Sequence, residues 1–169
     1  MDNSYEQILK NIKRRPGRPR KIKIQDHSIR EVQVQYKRIA AEMFKVRHDQ
    51  DVANFLRRLA FDNSREHFFA LYLDGSHKVA CYSLIALGAA NSCPVHPREV
   101  FQRGVICGAI SIVLAHNHPS GELVPSEADW YITKKLKSAG DILGITVLDH
   151  VIFSDHSSMS MRESHRWDG

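Results

Sequence analysis

The stretch from Ile110 to Ala115 is apolar at every position but Ser111, and it stops abruptly at His116-Asn117-His118-Pro119. A run without alternation leaves no face for water, so it predicts a strand covered on both sides. Such a strand belongs to a layered fold with helices above and below it, and the rest of the chain supplies them. Asp49 to Ala60 places Val52, Phe55, Leu56 and Leu59 on one helical face. Phe68 to Leu73 reads as a second buried strand, and Asp74-Gly75 turns it into a third at Lys78 to Gly88, a hairpin. Pro97 opens a helix to about Cys107. A further helix spans Ser126 to about Leu143, and Ile145 to Phe153 closes the ordered part as a strand. Strands interleaved with crossover helices predict an α/β fold, an α-β-α sandwich around a mixed sheet. Upstream, Val32 and Val34 alternate with polar neighbours like a short strand, and Ile39, Ala40, Met43 and Phe44 show helical spacing. Residues 154–169, rich in serine, read as a poorly ordered end.

The formal charge of +5 is unevenly placed. Residues 1–30 carry nine Lys/Arg and three acids, leaving 15 basic against 16 acidic side chains for the other 139 residues. Basicity therefore belongs to the N-terminal arm, expected to be disordered because Pro16, Gly17 and Pro19 break any helix within its run of like charges. Arg15-Pro16-Gly17-Arg18-Pro19-Arg20-Lys21 resembles an AT-hook, whose extended core inserts arginine into a narrow A·T-rich minor groove. A generic basic linker with weak affinity for any polyanion is the other reading. Arg15, Arg18, Arg20 and Lys21 are the candidate nucleic-acid contacts.

The two longest uncharged stretches, Val79 to Pro97 and Gly104 to Gly121, are interrupted by Asn, His and Pro, so neither predicts a membrane helix. No apolar run follows the first charges, and a cytoplasmic location is the expectation. Cys81, Cys93 and Cys107 contain no CxxC pair, which argues for buried thiols over a disulfide framework or a cysteine zinc cage.

Chemistry concentrates where the central strand ends. In extended chain, positions i and i+2 point to one side, so His116 and His118 converge. After a seven-residue loop, Ser126-Glu127-Ala128-Asp129 brings a carboxylate into the first turn of a helix, where Asp129 can return to the same point. Two imidazoles, one carboxylate and an open fourth position form the ligand set of a catalytic zinc, which acidifies a water toward neutral pH. Each piece has a plainer reading. Ser126-x-x-Asp129 after Pro125 is also an N-capping arrangement, and two loop histidines can simply pack on Pro119. Their conjunction behind an apolar strand favours the metal.

His116-x-His118-x(7)-Ser126-x-x-Asp129 resembles the JAMM signature of the MPN (JAB) metallopeptidases, and His-Asn-His-Pro-Ser-Gly is similar to their RadC-like branch. The resemblance covers about residues 46–163, and with 31–45 as an extension it implies a domain over 46–169 behind the arm at 1–30. It further implies a cytidine-deaminase-like fold and zinc-dependent hydrolysis of a peptide or isopeptide bond. The helix-hairpin-helix domain that precedes many members is not expected within residues 1–45, where the basic arm stands instead.

The resemblance places a glutamate upstream at the start of a strand, a position that Glu66 occupies, with the role of general base. Glu99, in a helical first turn, and Glu122, in the loop, are its competitors, and an exposed carboxylate beside Arg65 is the plainer reading of Glu66. Ser126 would then stabilise the oxyanion. His150, after Asp149, is either a partner orienting a ligand or a satisfied strand histidine, and stays outside the site. His67, His96 and His156 read as surface residues, and Asn117 as a residue that shapes the strand end. Three functions follow: a JAMM-type hydrolase of a protein or peptide, a DNA-associated scaffold with a non-catalytic metal site, and, less favoured, a metal-dependent nuclease. A zinc deaminase is excluded, since it needs His-x-Glu and Pro-Cys-x-x-Cys.

Overall fold

A computed structural model describes residues 32–37, 39, 42–59, 62–88 and 95–167. The elements, in order, are α1 (Asp49–Arg57), β1 (His67–Leu73), β2 (Val79–Leu87), α2 (Pro97–Cys107), β3 (Ser111–Asn117), α3 (Glu127–Leu143), β4 (Thr146–Phe153) and β5 (Ser158–Ser160). The five strands form one sheet in the order β2-β1-β3-β4-β5. Only β3 and β4 pair parallel, across the α3 crossover, while the other pairs are antiparallel. The sheet is therefore mixed, and the fold is α/β as the interleaved pattern predicts.

Strand periodicity divides the core into two layers. Phe68, Ala70, Tyr72, Ile112 and Leu114 pack on one face against Val100 and Phe101 of α2 and Leu136 of α3. Phe69, Leu71, Leu73, Val113 and Ala115 pack on the other against Val52, Ala53 and Leu56 of α1. β1 and β3 are buried at every position because both faces are covered.

Three expectations about the ends of the chain are corrected. Residues 32–37 form neither strand nor helix, and among 39 and 42–44 no helix is found; Ala40 lies outside the described residues, as do the whole basic arm and Cys93. Phe44 and Val46 spend their backbone on the β2 entrance instead: the Phe44 carbonyl accepts from Val79 and Val46 donates to His77, each at 3.0 Å. Extended pairing wins over the helical spacing because Ile39 and Met43 are exposed and have no core to face. Residues 154–167 are packed against the domain. Met161 is fully buried and Trp167 nearly so, with Lys137 over the Trp167 ring at 4.3 Å. Arg166 grips Glu127 through two bonds of 2.7 and 2.8 Å and lies over Trp130. The serine-rich composition hides these anchors.

Cys81 and Cys107 are half-buried rather than fully buried. Burial, aided by its neighbour Cys81, pushes the Cys107 thiol up to about 12, so it stays protonated at neutral pH. Among the described residues no helix is long and apolar enough to cross a membrane.

Gly140 sets how closely α3 approaches the sheet and α2. A Cβ there would collide with the Ile145 backbone carbonyl and press on the Phe101 ring, while the Gly140 carbonyl accepts from Ile145 N–H at 2.9 Å. Gly140→Ala is expected to cost about 1–3 kcal/mol through overpacking, read as a lower denaturation midpoint in urea. An unchanged midpoint would show that the helix end can move aside.

Candidate metal centre

α3 begins where β3 ends, and its cap delivers a carboxylate to the histidines. The Ser126 N–H and hydroxyl both donate to Asp129 Oδ2, at 2.7 and 2.6 Å, and Asp129 N–H returns a bond of 3.2 Å to Ser126 Oγ. This capping box satisfies orphan donors of the first turn and occupies Oδ2. Asp129 Oδ1 lies 3.3 Å from His116 Nε2, and Oδ2 lies 3.9 Å from His118 Nε2. The cap and ligand readings of Ser126-x-x-Asp129 therefore do not compete: Oδ2 serves the helix while Oδ1 faces His116.

His116 Nε2 and His118 Nε2 stand 2.8 Å apart, and the other nitrogen of each ring decides what that closeness means. His118 Nδ1 is 2.6 Å from the Glu122 carbonyl, which only accepts, so Nδ1 carries the hydrogen and Nε2 the lone pair. His116 Nδ1 meets His150 Nε2 at 2.9 Å, and His150 Nδ1 meets Thr133 Oγ1 at 2.6 Å. The Thr133 hydroxyl gives its single hydrogen to the Asp129 carbonyl at 2.6 Å. His150 Nδ1 must then donate to Thr133, His150 Nε2 must accept from His116, and His116 Nε2 too is left with a lone pair.

Burial keeps the His116 and His150 rings neutral. It pushes His116 down to about 4 against the pull of the Asp129 charge, with His118 adding to the push. It also drives His150 well below the ordinary range, with His116 and His118 contributing.

Two lone pairs facing each other at 2.8 Å beside a carboxylate repel unless a cation lies between them. One donor atom from each of His116, His118 and Asp129 lies within 4.8 Å of the others. The chemistry of this donor set fits a divalent metal, and its N₂O composition fits zinc with a position to spare. That side opens on a groove of about 150 Å³ lined by Glu66, Phe68, Ala86, Val95, Ile132 and Lys135 among others, and by His116 and Asp129 themselves.

Of the three glutamates weighed from sequence, Glu66 lies on this groove. Glu99 faces Arg98 and Arg103 on α2, and Glu122 contributes only its carbonyl, to His118. His67 is not a surface residue: it is 4% exposed, with Nδ1 on the Arg65 carbonyl. His96 caps α2 through Arg98 N–H, and His156 is exposed. Arg15, Arg18, Arg20 and Lys21 lie outside the described residues. Sequence reasoning left out His150 and missed Thr133. The signal for Thr133 was available, since four residues after Asp129 it shares a helical face with it. For His150 the signal needs the β3/β4 register, which pairs Leu114 with His150.

An α-β-α domain with two histidines ending a central strand and an aspartate opening the next helix defines a metal-site fold of the JAB kind. This chain belongs to the family described as RadC-like JAB domain, which it matches over residues 46–167. A protein of Finegoldia magna is 44% identical over 126 residues, 75% of this chain and 56% of that protein. One of Caldanaerobacter subterraneus is 43% identical over 127 residues, 75% and 54% of the two chains, and one of Methanococcoides burtonii 42% over 119, 70% and 52%. All three bear the name UPF0758 protein. The chain spans about half the length of the curated relatives it matches.

Thr133→Val keeps the volume but removes the hydroxyl that fixes the direction of the His150 and His116 hydrogens. Zinc affinity is expected to fall about 10–100-fold with all three ligands intact, measured by competition with a chromophoric chelator. Unchanged affinity would mean the hydrogen direction at His116 is set elsewhere.

Proposed function

We propose that this chain is a zinc-dependent hydrolase of the JAMM type, cleaving a peptide or isopeptide bond. The observation that supports this best is the convergence of two imidazoles and the Asp129 carboxylate beside a groove that also holds Glu66. His116, His118 and Asp129 hold the ion. When bound, zinc supplies a Lewis acid that lowers the pKa of a water toward neutral. Glu66 takes the proton of the attacking water and passes it to the leaving amine. The Ser126 hydroxyl rests on Asp129 Oδ2 and turns its hydrogen toward the developing oxyanion. Phe68, Val95 and Ile132 give the groove an apolar wall against which a substrate side chain can pack.

Elemental analysis of purified chains tests the assignment. Wild type and Glu66→Gln are expected to hold about one zinc per chain, and His116→Ala to lose it. Hydrolysis of a peptide-amide panel is expected to fall about 100-fold or more in Glu66→Gln. Loss of zinc from Glu66→Gln, or full activity in it, would show the roles to be wrongly assigned.

The charge split between residues 1–30 and the remainder supports a second part of the proposal: the basic arm tethers the hydrolase to A·T-rich DNA and concentrates it near DNA-bound protein substrates. Deleting residues 1–25 is expected to abolish salt-sensitive binding to an A·T-rich duplex while zinc content stays the same. Binding retained after the deletion would contradict the tether.

A further inference from the structure

Asn117 points to the opposite face of β3 from the two histidines beside it and is 4% exposed. Its carboxamide is spent on the start of β1. Oδ1 accepts from the His67 backbone N–H at 2.7 Å, and Nδ2 donates to the Arg65 carbonyl at 2.9 Å. The orientation of the amide is unambiguous, because a backbone N–H only donates and a carbonyl only accepts. The two bonds straddle a single residue, Glu66.

That residue needs holding. Backbone registry between β1 and β3 runs from Leu73↔Ser111 to Phe68↔His116, and Glu66 precedes the first residue of β1. Beyond that registry, the Asn117 side chain carries the pairing past His67 to Arg65. From the β2 side, the Glu66 carbonyl accepts from Gly88 N–H at 2.9 Å. The Glu66 backbone is thus fixed from both neighbouring strands. Two residues before Phe68, it shares the face that carries His116 and α3. Displacing a reacting group by 1 Å can cost about 100-fold in rate, so the two bonds from Asn117 set whether the carboxylate is in place.

We infer that Asn117 is the positioning residue for Glu66, gripping the chain on either side of it so that the carboxylate is aimed at the metal groove. The inference rests on Glu66 being the base of the proposed hydrolase. It explains why a buried amide stands between two metal-directed histidines without contributing a ligand.

The test uses Asn117→Ala and Asn117→Asp in the full zinc-loaded chain. The aspartate keeps the acceptor for His67 N–H and lacks the donor for the Arg65 carbonyl, and it guards against a folding defect in the alanine variant. Both are expected to keep about one zinc per chain while kcat falls about 100-fold with KM little changed. In a Glu66→Gln background the same substitutions are expected to cause no further loss, because they act through Glu66. Hydrogen exchange at the His67 amide of the metal-free chain is expected to rise about 10-fold or more in Asn117→Ala, with the amides at the centre of β1 unchanged. Full kcat in both variants, an additive loss on Glu66→Gln, or unchanged exchange at His67 overturns the inference. If the wild-type zinc-loaded chain hydrolyses no amide, the proposed function falls instead, and exchange at His67 still decides whether Asn117 holds the start of β1.

Discussion

The Thr133 hydroxyl has one hydrogen, and the Asp129 carbonyl takes it. The hydrogen directions at His150 and His116 follow from that bond. His150 must donate to Thr133, His116 must donate to His150, and the nitrogen that His116 turns toward His118 is left bare. The chain of bonds leaves Asp129 at its backbone and comes back to within 3.3 Å of its carboxylate through His116. Two of the three candidate metal donors are thereby tied to each other through groups outside the donor set. Such outer partners fix ring orientation and raise ligand basicity, and burial holds the rings neutral, as a ligand must be.

The fold supplies the geometry this circuit requires. β3 and β4 are the parallel pair, joined by α3 as crossover. Their register sets His150 beside Leu114, diagonal to His116, and the N-terminus of α3 falls over the end of β3. Ligands in open α/β sheets gather at the carboxyl ends of strands for the same reason. The C-terminal segment secures the helix from outside: Arg166 binds Glu127 in the first turn, and Trp167 lies under Lys137 two turns later. The close approach at Gly140 sets the other end of α3.

Much of this was legible in the sequence, and the boundary has a physical cause. A short, almost wholly apolar run reads as a strand covered on both faces, and period 2 then puts His116 and His118 on one side. Ser126-x-x-Asp129 could be read as cap or as ligand because local spacing is the same for both, and the structure divides the two carboxylate oxygens between those tasks. What the sequence could not reveal depends on long-range register. His150 looks like any strand histidine until β4 is aligned with β3 across an irregularity at Ile112/Val113. Asn117 meets residues some 50 positions away. The helical spacing of Ile39, Ala40, Met43 and Phe44 gives way at Phe44 to pairing with the β2 entrance, and Met161 and Trp167 are apolar side chains in a serine-rich tail whose burial depends on partners elsewhere.

In the proposed centre hydrogen directions, and not proximity alone, select which nitrogens would bind metal. X-ray absorption at the zinc edge of the reconstituted chain tests this most directly. The account predicts four light-atom ligands at about 2.0–2.1 Å, with multiple scattering from two imidazoles and no sulfur. A third imidazole in the zinc shell would mean that His150 turns in as a ligand, and a sulfur at about 2.3 Å would bring in a cysteine; either result would contradict the circuit from Thr133 to His116.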